Sequence, residues 1–314
     1  MVNAMRAIDG VTIGLLHRIE GTELTAHTWP KAPPENRHPT FLRLLSGLMV
    51  SYAGDRRMGV ARDDGHVSGM VIARSRATGV VWDIEQLVAP SVGAAVDLLG
   101  WACECARNAR GRRVFLETPP EGLGADAARR AGFERYSDAA TYRLEPGFRQ
   151  DAPDALPARP RLTSDEQGVF QLYCAAVPAP VRAAEAMTYG EWKALYRGRK
   201  VWTPSVLGSR QDFVWELGSR IIGWMRLSFG QRSQYLEMLV HPLYESYTPQ
   251  MIRNALSQMS AKVPVLADVR EYHAGIRNAL EQEGFRSGAA YTIWVRQLAP
   301  RLAQPSGAAA QATA

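Results

Sequence analysis

With 314 residues, the chain is long enough for about two globular domains, and its 46% apolar and 22% charged residues are ordinary for proteins with apolar cores. Three cysteines provide neither a disulfide framework nor a zinc-binding spacing, so no metal is expected. The net charge of +6 is modest, no basic motif with interleaved aromatic residues indicates a nucleic-acid partner, and no apolar run is long enough to span a membrane. The N-terminal residues lack the pattern of a signal peptide, and we therefore predict a cytoplasmic protein.

The first half of the chain alternates between segments typical of strands and segments typical of helices. Ser91 is predicted to cap a long helix, and Gly132 is predicted to end a shorter one in the left-handed conformation. In chain order, the predictions are strand Val11–His17, a Pro-rich loop from Pro30 to Pro39, helix Phe41–Tyr52, strands Val67–Ala73 and Val80–Val88, helix Ser91–Arg107, strand Val114–Glu117, helix Ala125–Ala131 and strand Thr141–Leu144.

A Pro-rich segment from Gln150 to Pro160 is typical of a linker, and the second half repeats the order of the first. We predict one domain over residues 1–149, a linker over 150–160, a second domain over 161–300 and a disordered tail over 301–314. The predicted elements of the second half are helices Ser164–Ala176 and Ala184–Tyr196, strands Phe213–Leu217, Ile221–Ser228 and Tyr235–Val240, a helix from Pro249, strand Val263–Asp268, helix Ala274–Glu283 and strand Tyr291–Arg296.

The two halves also share sequence motifs at a constant distance. The segment Trp82–Pro90 (WDIEQLVAP) is echoed by Gln234–Pro242 (QYLEMLVHP), an offset of 152 residues (242 − 90) that also relates Glu85 to Glu237. The same offset relates the pair Gly132-Phe133 to the pair Gly284-Phe285. A repeat of this length indicates a duplicated domain rather than a solenoid.

This order of motifs resembles the GNAT superfamily of acyl-CoA-dependent N-acetyltransferases, in tandem. The matching pieces are a strand ending in Leu-Val-x-Pro, a helix, a short strand, and a second helix that runs into Gly-Phe, and they occur in both halves. The resemblance implies an α/β chain of two tandem GNAT-like domains, each a mixed, splayed β-sheet flanked by helices. It also implies acetyl-CoA or another acyl-CoA as co-substrate, with the pantetheine against the backbone of the strands that contain Glu85 and Glu237.

The loop after the strand departs from the family pattern in both halves. In the family, a Gly-rich sequence there holds the CoA pyrophosphate with backbone N–H groups at a helix start. The second half has no glycine at that place, and Glu245 and Pro249 are unfavourable for a phosphate. We therefore predict that the first half keeps the cofactor site, formed by Leu87, Val88, Ala89, Ser91, Gly93, Ala94 and Ala95.

Catalysis requires a base for the acceptor ammonium and benefits from an acid for the leaving thiolate. Glu85 and Glu237 match the position of the family's base; the alternative for each is a structural hydrogen bond or a position that faces solvent. The family's acid is a tyrosine four residues before the glycine of Gly-Phe, and those positions hold Ala128 and Leu280. Three other tyrosines are available as acids or as ordinary core residues: Tyr136, Tyr142 and Tyr291.

Several further residues have two interpretations each. His241 lies within the second strand motif, either near a substrate or as an ordinary packed side chain. Six aromatic residues are predicted either to line a ligand groove or to fill a core: Trp192, Tyr196, Trp202, Trp215, Trp224 and Trp294. Five arginines are predicted either to contact a CoA phosphate or to lie in solvent near helix ends: Arg110, Arg112, Arg113, Arg129 and Arg130.

Two functions from different classes remain. The first is an acyltransferase that moves an acyl group from acyl-CoA to a small-molecule or peptide amine, with its active site in one half. The second is a catalytically inactive tandem GNAT-fold protein that binds a ligand or a protein. The altered loops and the missing acid favour the second function, whereas the resemblance to the family favours the first, and we predict the first. Catalysis would then depend on positioning the amine against the thioester, with Glu85 or Glu237 as base.

Overall fold

A computed structural model describes residues 2–4, 22–24, 56–64, 66–76, 79–147, 158–185, 188–196, 210–231 and 233–299. Within these ranges the chain is a mixed α/β structure of thirteen strands and seven α-helices. No helix in these ranges combines the length and apolar content needed to cross a membrane.

The strands are β1 Val2–Ala4, β2 Thr22–Leu24, β3 Arg56–Asp63, β4 His66–Ser75, β5 Val81–Ala89, β6 Arg113–Thr118, β7 Glu134–Leu144, β8 Arg159–Pro160, β9 Arg210–Leu217, β10 Arg220–Phe229, β11 Gln234–Val240, β12 Val265–Arg270 and β13 Arg286–Gln297. The helices are α1 Val92–Asn108, α2 Leu123–Arg130, α3 Glu166–Ala176, α4 Ala179–Glu185, α5 Tyr189–Tyr196, α6 Thr248–Ser257 and α7 Ala274–Gln282. Two 3-10 helices, Thr163–Asp165 and Pro242–Tyr247, precede α3 and α6.

All thirteen strands belong to one sheet rather than to two separate ones. The order is β1-β3-β4-β5-β6-β13-β7-β12-β11-β10-β9-β8, with β2 paired to β5 off this path. The last strand, β13, pairs antiparallel with β6, and β7 pairs antiparallel with β12. Each half of the chain thus receives the closing strand of the other, and β7 and β13 pair with each other in the middle.

The apolar cores show the same exchange of strands. The core beneath α1 and α2 contains Trp294 and Leu298, from β13 and the residue after it. The core beneath α6 and α7 contains Tyr142 and Leu144, which belong to β7. Because each core is completed by apolar side chains from the other half of the sequence, burial of apolar surface holds the two halves together.

A third core lies on the opposite face of the sheet and is shared by both halves. Val81 and Phe115 from the first half pack there with α3, α5 and strands β9 to β11. Glu85 and Glu237 point to this face, since Ile84 before Glu85 is in the core beneath α1 and α2, and Leu236 and Met238 on either side of Glu237 are in the core beneath α6 and α7. The face that carries this third core is called the shared face below.

Most of the elements predicted between residues 67 and 296 occur at the expected places, as expected for long periodic segments. Ser91 caps α1 by accepting a hydrogen bond from the Ala94 N–H at 3.2 Å. Gly132 has a φ of +73°, the left-handed conformation predicted for the end of α2. The fold class is confirmed, with the difference that the expected pair of sheets is continuous.

Some boundaries differ from the predictions, each for a local reason. The predicted helix Ala184–Tyr196 is two short helices, α4 and α5. Arg159 and Pro160, predicted as the end of the linker, form β8 and pair with β9 at the edge of the sheet, where proline is tolerated. The predictions for residues 11–17, 30–39 and 41–52, the rest of the linker up to residue 157, and the tail 301–314 lie outside the described residues.

Candidate functional site

Two neighbouring parallel strands separate in each half of the sheet. Strands β5 and β6 are paired only from Val81 to Asp83, and β11 and β12 only from Gln234 to Leu236. Beyond these points the strands diverge. We call the resulting gaps the first-half split and the second-half split, and the last paired residues their closed ends. The backbone of the diverging strand is then available to another extended group.

Carboxylates flank both splits on the shared face. In the first half, Glu85 and Glu117 each lie two residues beyond the last pair, Asp83 with Phe115. In the second half, Glu237 and Asp268 each lie one residue beyond their last pair. Strand alternation places each of these side chains on the side away from the helix-covered cores. The duplication has therefore preserved an arrangement of two carboxylates at the opening between two strands.

In the first half, Glu85 is held by two arginines. Arg56 donates to Oε1 through Nη2 at 3.0 Å, and Arg74 donates to the same oxygen through Nη1 at 3.3 Å. Nε of Arg56 lies 2.8 Å from Oε2 as an ion-pair contact. Glu85 also lies at a β-bulge, because Ile72 pairs with Gln86 while Ala73 pairs with Ile84. A carboxylate that accepts two charge-assisted hydrogen bonds and lies in an ion pair with two guanidinium groups is poorly placed to accept a proton from a substrate.

In the second half, Glu237 has a looser cationic neighbour. Nη1 of Arg226, the residue paired with Glu237 across the two strands, is 3.9 Å from its carboxylate. Arg226 is instead committed to Asp212, with two hydrogen bonds of 2.7 and 2.8 Å. The side chain of Glu237 is 14% exposed, and its Oε1 is buried. Of the two predicted bases, Glu237 has the environment better suited to proton transfer.

The two splits also differ in what lies along the diverging strand. In the first half, β2 pairs antiparallel with β5, in the register Thr22 with Ala89 and Leu24 with Leu87. Because β4 pairs with the other edge of β5, β2 lies within the first-half split. In the second half, no strand in the described ranges pairs with the corresponding edge of Glu237–Val240. The predicted cofactor site at Leu87, Val88 and Ala89 stays a prediction, and it requires β2 to be displaced.

The helix starts next to the two splits differ as well. Gly93 lies exposed in the first turn of α1, and an added Cβ would meet only Ser91 Oγ, at 4.0 Å. Ala95 is fully buried in the core, which leaves Ser91, Gly93 and Ala94 for a phosphate. In the second half, the carboxylate of Glu245 is turned onto the first turn of α7, where an added Cβ on Gly275 would be 2.5 Å from Oε2. That position is favourable for a negative charge.

The structure gives the candidate acids distinct surroundings. Ala128 and Leu280 are fully buried, so no hydroxyl group occupies the family's acid position in either half. Tyr142 is buried on the face away from Glu237, and its hydroxyl donates to Glu281 at 3.3 Å. Tyr136 donates to Glu185 at 3.2 Å, and burial followed by Glu185 raises its pKa well above the ordinary value.

Tyr291 is the third candidate acid, and it is also buried. Its hydroxyl donates to Asp268, and burial followed by this carboxylate raises the pKa of Tyr291 well above the ordinary value. A phenol with a raised pKa remains protonated at neutral pH and acts as a hydrogen-bond donor rather than as a proton source. Tyr291 is therefore better placed to orient Asp268 than to protonate a thiolate.

The remaining sequence candidates are mostly structural. His241 Nδ1 accepts a hydrogen bond from the Leu243 N–H at 3.3 Å, which caps the 3-10 helix. Arg113 differs from the other arginines of its group because it is buried and contacts Glu191 at 3.2 Å. Four of the six aromatic residues are in the cores: Trp192, Trp215, Trp224 and Trp294. Trp202 and the side chain of Tyr196 lie outside the described parts of the chain.

A buried polar cluster on the shared face was not predicted from the sequence. Its centre is Glu185, which accepts hydrogen bonds from Tyr136, Tyr173 and Arg270 at 3.1 to 3.3 Å. Tyr136 comes from the first half of the chain, whereas the other three residues come from the second. The signal available in the sequence was the charge of Arg270 at the end of an apolar strand, but its partner Glu185 lies 85 residues away.

Comparisons with known proteins agree with this architecture. The sequence matches no protein-family model and no curated protein sequence. Among solved structures, a GCN5-related N-acetyltransferase from Sphaerobacter thermophilus has a TM-score of 0.56 at 14% identity and covers 95% of both chains. A tandem GNAT protein from the clavulanic acid biosynthesis pathway has a TM-score of 0.52 at 16% identity, covering 96% of this chain and 99% of its own.

A putative acetyltransferase from Pyrococcus horikoshii is similar over 96% of this chain and 90% of its own, with a TM-score of 0.53 at 10% identity. These likenesses extend over almost the whole chain and include both halves of the continuous sheet. The chain therefore has the fold of the GNAT N-acetyltransferases.

Proposed function

We propose that the protein is an acyl-CoA-dependent N-acyltransferase whose active site lies in the second half. The observation that carries this proposal is the second-half split, where none of the described strands pairs with the split-facing edge of Glu237–Val240 and Glu237 is next to the closed end. An extended pantetheine chain fits such an edge because its amide groups can form the hydrogen bonds that a missing strand would form. When the pantetheine chain lies along this edge, its thioester is at the closed end of the second-half split.

In this mechanism Glu237 accepts a proton from the acceptor ammonium, which frees the nitrogen lone pair to attack the thioester carbonyl carbon. The co-substrate is acetyl-CoA or another acyl-CoA, and the acceptor is a small-molecule or peptide amine. Holding the two reactants in contact contributes a large part of the rate. The division of the chain into domains at 1–149 and 161–300, and its cytoplasmic location, stay predictions from the sequence.

The first half is proposed to be structural, since its split contains β2 and its glutamate is held by Arg56 and Arg74. This assignment reverses the expectation from the loop sequences. In the second half, Glu245 is directed to α7, so it contributes less repulsion at the start of α6 than its position in the sequence suggests.

A matched pair of charge substitutions distinguishes the two halves. Gly93 and Ser246 are both exposed near the start of the helix that follows the split, so Gly93→Glu and Ser246→Glu are both expected to fold. In calorimetric titrations with acetyl-CoA, we expect one site per chain and about tenfold or greater weakening by Ser246→Glu, because a like charge opposes the pyrophosphate. Gly93→Glu should bind as the unmodified protein does.

The reverse result would place the cofactor in the first half, as the loop sequences suggest, and would overturn the second-half assignment. If acetyl-CoA does not bind at millimolar concentration, the enzyme proposal fails. The alternative of a catalytically inactive ligand- or protein-binding module would then be favoured, in agreement with the missing acid at Ala128 and Leu280.

A further inference from the structure

Asp268 has a position in the second-half split that corresponds to that of Glu237 across the gap. Leu236 on β11 and Ala267 on β12 are the last paired residues, and Glu237 and Asp268 are the next residue on each strand. Paired strands are about 5 Å apart, and the separation grows from this point. Both side chains point to the shared face and both are partly exposed.

Asp268 is oriented by donors from both exchanged strands. Thr141 on β7 donates its hydroxyl to Oδ1 at 2.5 Å, and Tyr291 on β13 donates to the same carboxylate. Thr141 comes from the first half of the sequence. Strand exchange thus brings a first-half side chain to the second-half split, where it holds a carboxylate in one orientation.

We propose that Asp268 is a second catalytic carboxylate, which binds the acceptor as an ammonium ion opposite Glu237. This inference rests on the proposed second-half active site. Two carboxylates on either side of a narrow gap attract a cation, and a charge-assisted hydrogen bond from the ammonium to each of them directs its nitrogen to the thioester. The acceptor class is therefore a primary amine that binds in its protonated form.

The protons of the reaction balance with these two groups. The ammonium gives one proton to Glu237, and the nitrogen lone pair then forms the amide bond as the carbon–sulfur bond breaks. The amide nitrogen loses a second proton, which the thiolate takes up to become the CoA thiol, and Glu237 releases its proton to solvent. Asp268 remains ionised throughout and holds the nitrogen, while Thr141 and Tyr291 act as positioning residues.

The test compares acceptors that are charged and uncharged at pH 8. CoA thiol release from acetyl-CoA is measured with 1-propylamine, 1,4-diaminobutane and ethanolamine, and separately with hydroxylamine, which is neutral at this pH. Asp268→Asn should raise the KM of the best of the three amines by about 10- to 100-fold, the loss expected for one charge-assisted contact. The rate with hydroxylamine should change by less than about twofold.

Asp138→Asn provides a matched control, since Asp138 also accepts a threonine hydroxyl, that of Thr292 at 2.8 Å. Thr292 follows Tyr291 and so points to the opposite face of the sheet. This variant should leave both rates unchanged. Tyr291→Phe removes one donor to Asp268 and should give a smaller KM increase, again only for the amines, which keeps the test informative if Asp268→Asn unfolds.

Equal losses with amines and hydroxylamine would mean that Asp268 is only structural, and unchanged amine kinetics would remove its role altogether. Acetyl-CoA binding without thiol release to any acceptor would also overturn the inference. Absence of acetyl-CoA binding contradicts the proposed function itself, which calorimetry on the same samples detects separately.

Discussion

The strand exchange leads to a prediction about Trp294, which belongs to the second half of the sequence but to the core of the first. Its indole is 4% exposed among residues of α1 and α2, and its Nε1 donates to Thr118 Oγ1 at 2.9 Å. Replacement by alanine leaves a large cavity, and such substitutions cost about 3–5 kcal/mol. That loss is a large fraction of the ~5–15 kcal/mol stability of a typical protein.

The location of the damage is more informative than its size. In Trp294→Ala, hydrogen exchange of backbone amides should become faster in α1, about 190 residues earlier in the sequence, and less so in α6. Trp215→Ala is the matched control, because Trp215 is 1% exposed in the core with Met251 and Ile252. It should loosen α6 and spare α1.

Urea unfolding of the two variants measures the magnitude, and exchange followed by mass spectrometry measures the location. If Trp294→Ala loosened α6 and α7 while α1 kept its protection, β13 would belong to the core of the second half, its own half of the sequence. The exchanged topology, and with it the contribution of Thr141 to the second-half split, would then be refuted.

Three further predictions follow from the ionisable side chains. Burial and then Arg270 lower the pKa of His273 to about 4, from an ordinary value of 6.5. The free energy of unfolding should therefore be highest above pH 6.5 and should lose about 3 kcal/mol as the pH falls towards 4, because the unfolded chain binds the proton first. The stability difference between the protein and His273→Asn should change over this pH range. Burial raises the pKa of the Cys103 thiol to about 11, so thiol reagents should modify it only on unfolding, and rapid labelling of the native protein would contradict this. Glu85→Gln should lower the free energy of unfolding by about 1–2 kcal/mol in urea melts and leave catalysis intact. Glu237→Gln should abolish turnover with little loss of stability. Inactivation by Glu85→Gln would place the base in the first half.

Local sequence signals predicted most of the described elements after residue 66. The run Val80–Val88 is apolar and β-branched, and it forms β5; Ser91 precedes a periodic segment, and α1 begins at Val92. Such signals depend on neighbours in the chain, which explains their success. Strand β3 has less distinctive residues around its three arginines and was not predicted.

Local sequence patterns could not predict which strands pair with each other or which side chains meet at the site, because both depend on residues distant in the sequence. Strand β13 has the same alternation whether it pairs with β6 or stays within its own half, and the exchange is decided by the fit of Trp294 in a distant core. The same holds for the site. The repeat predicted that Glu85 and Glu237 would lie on strands, but not that Arg56 and Arg74 would bind the first, because these contacts depend on strand register.

The asymmetry between the halves follows from the way the continuous sheet shares its parts. A duplicated enzyme needs only one working site, so the second copy of the site is free to change as long as the cores remain filled. In the first half, Glu85 contacts two arginines and β2 lies in the split, and both features add contacts that stabilise the fold. The first half nevertheless remains necessary for the second, because β7 supplies Tyr142 and Leu144 to its core and Thr141 to Asp268. The proposed second-half active site is therefore compatible with a first half kept for its structure, because the second half depends on the strand that the first half provides.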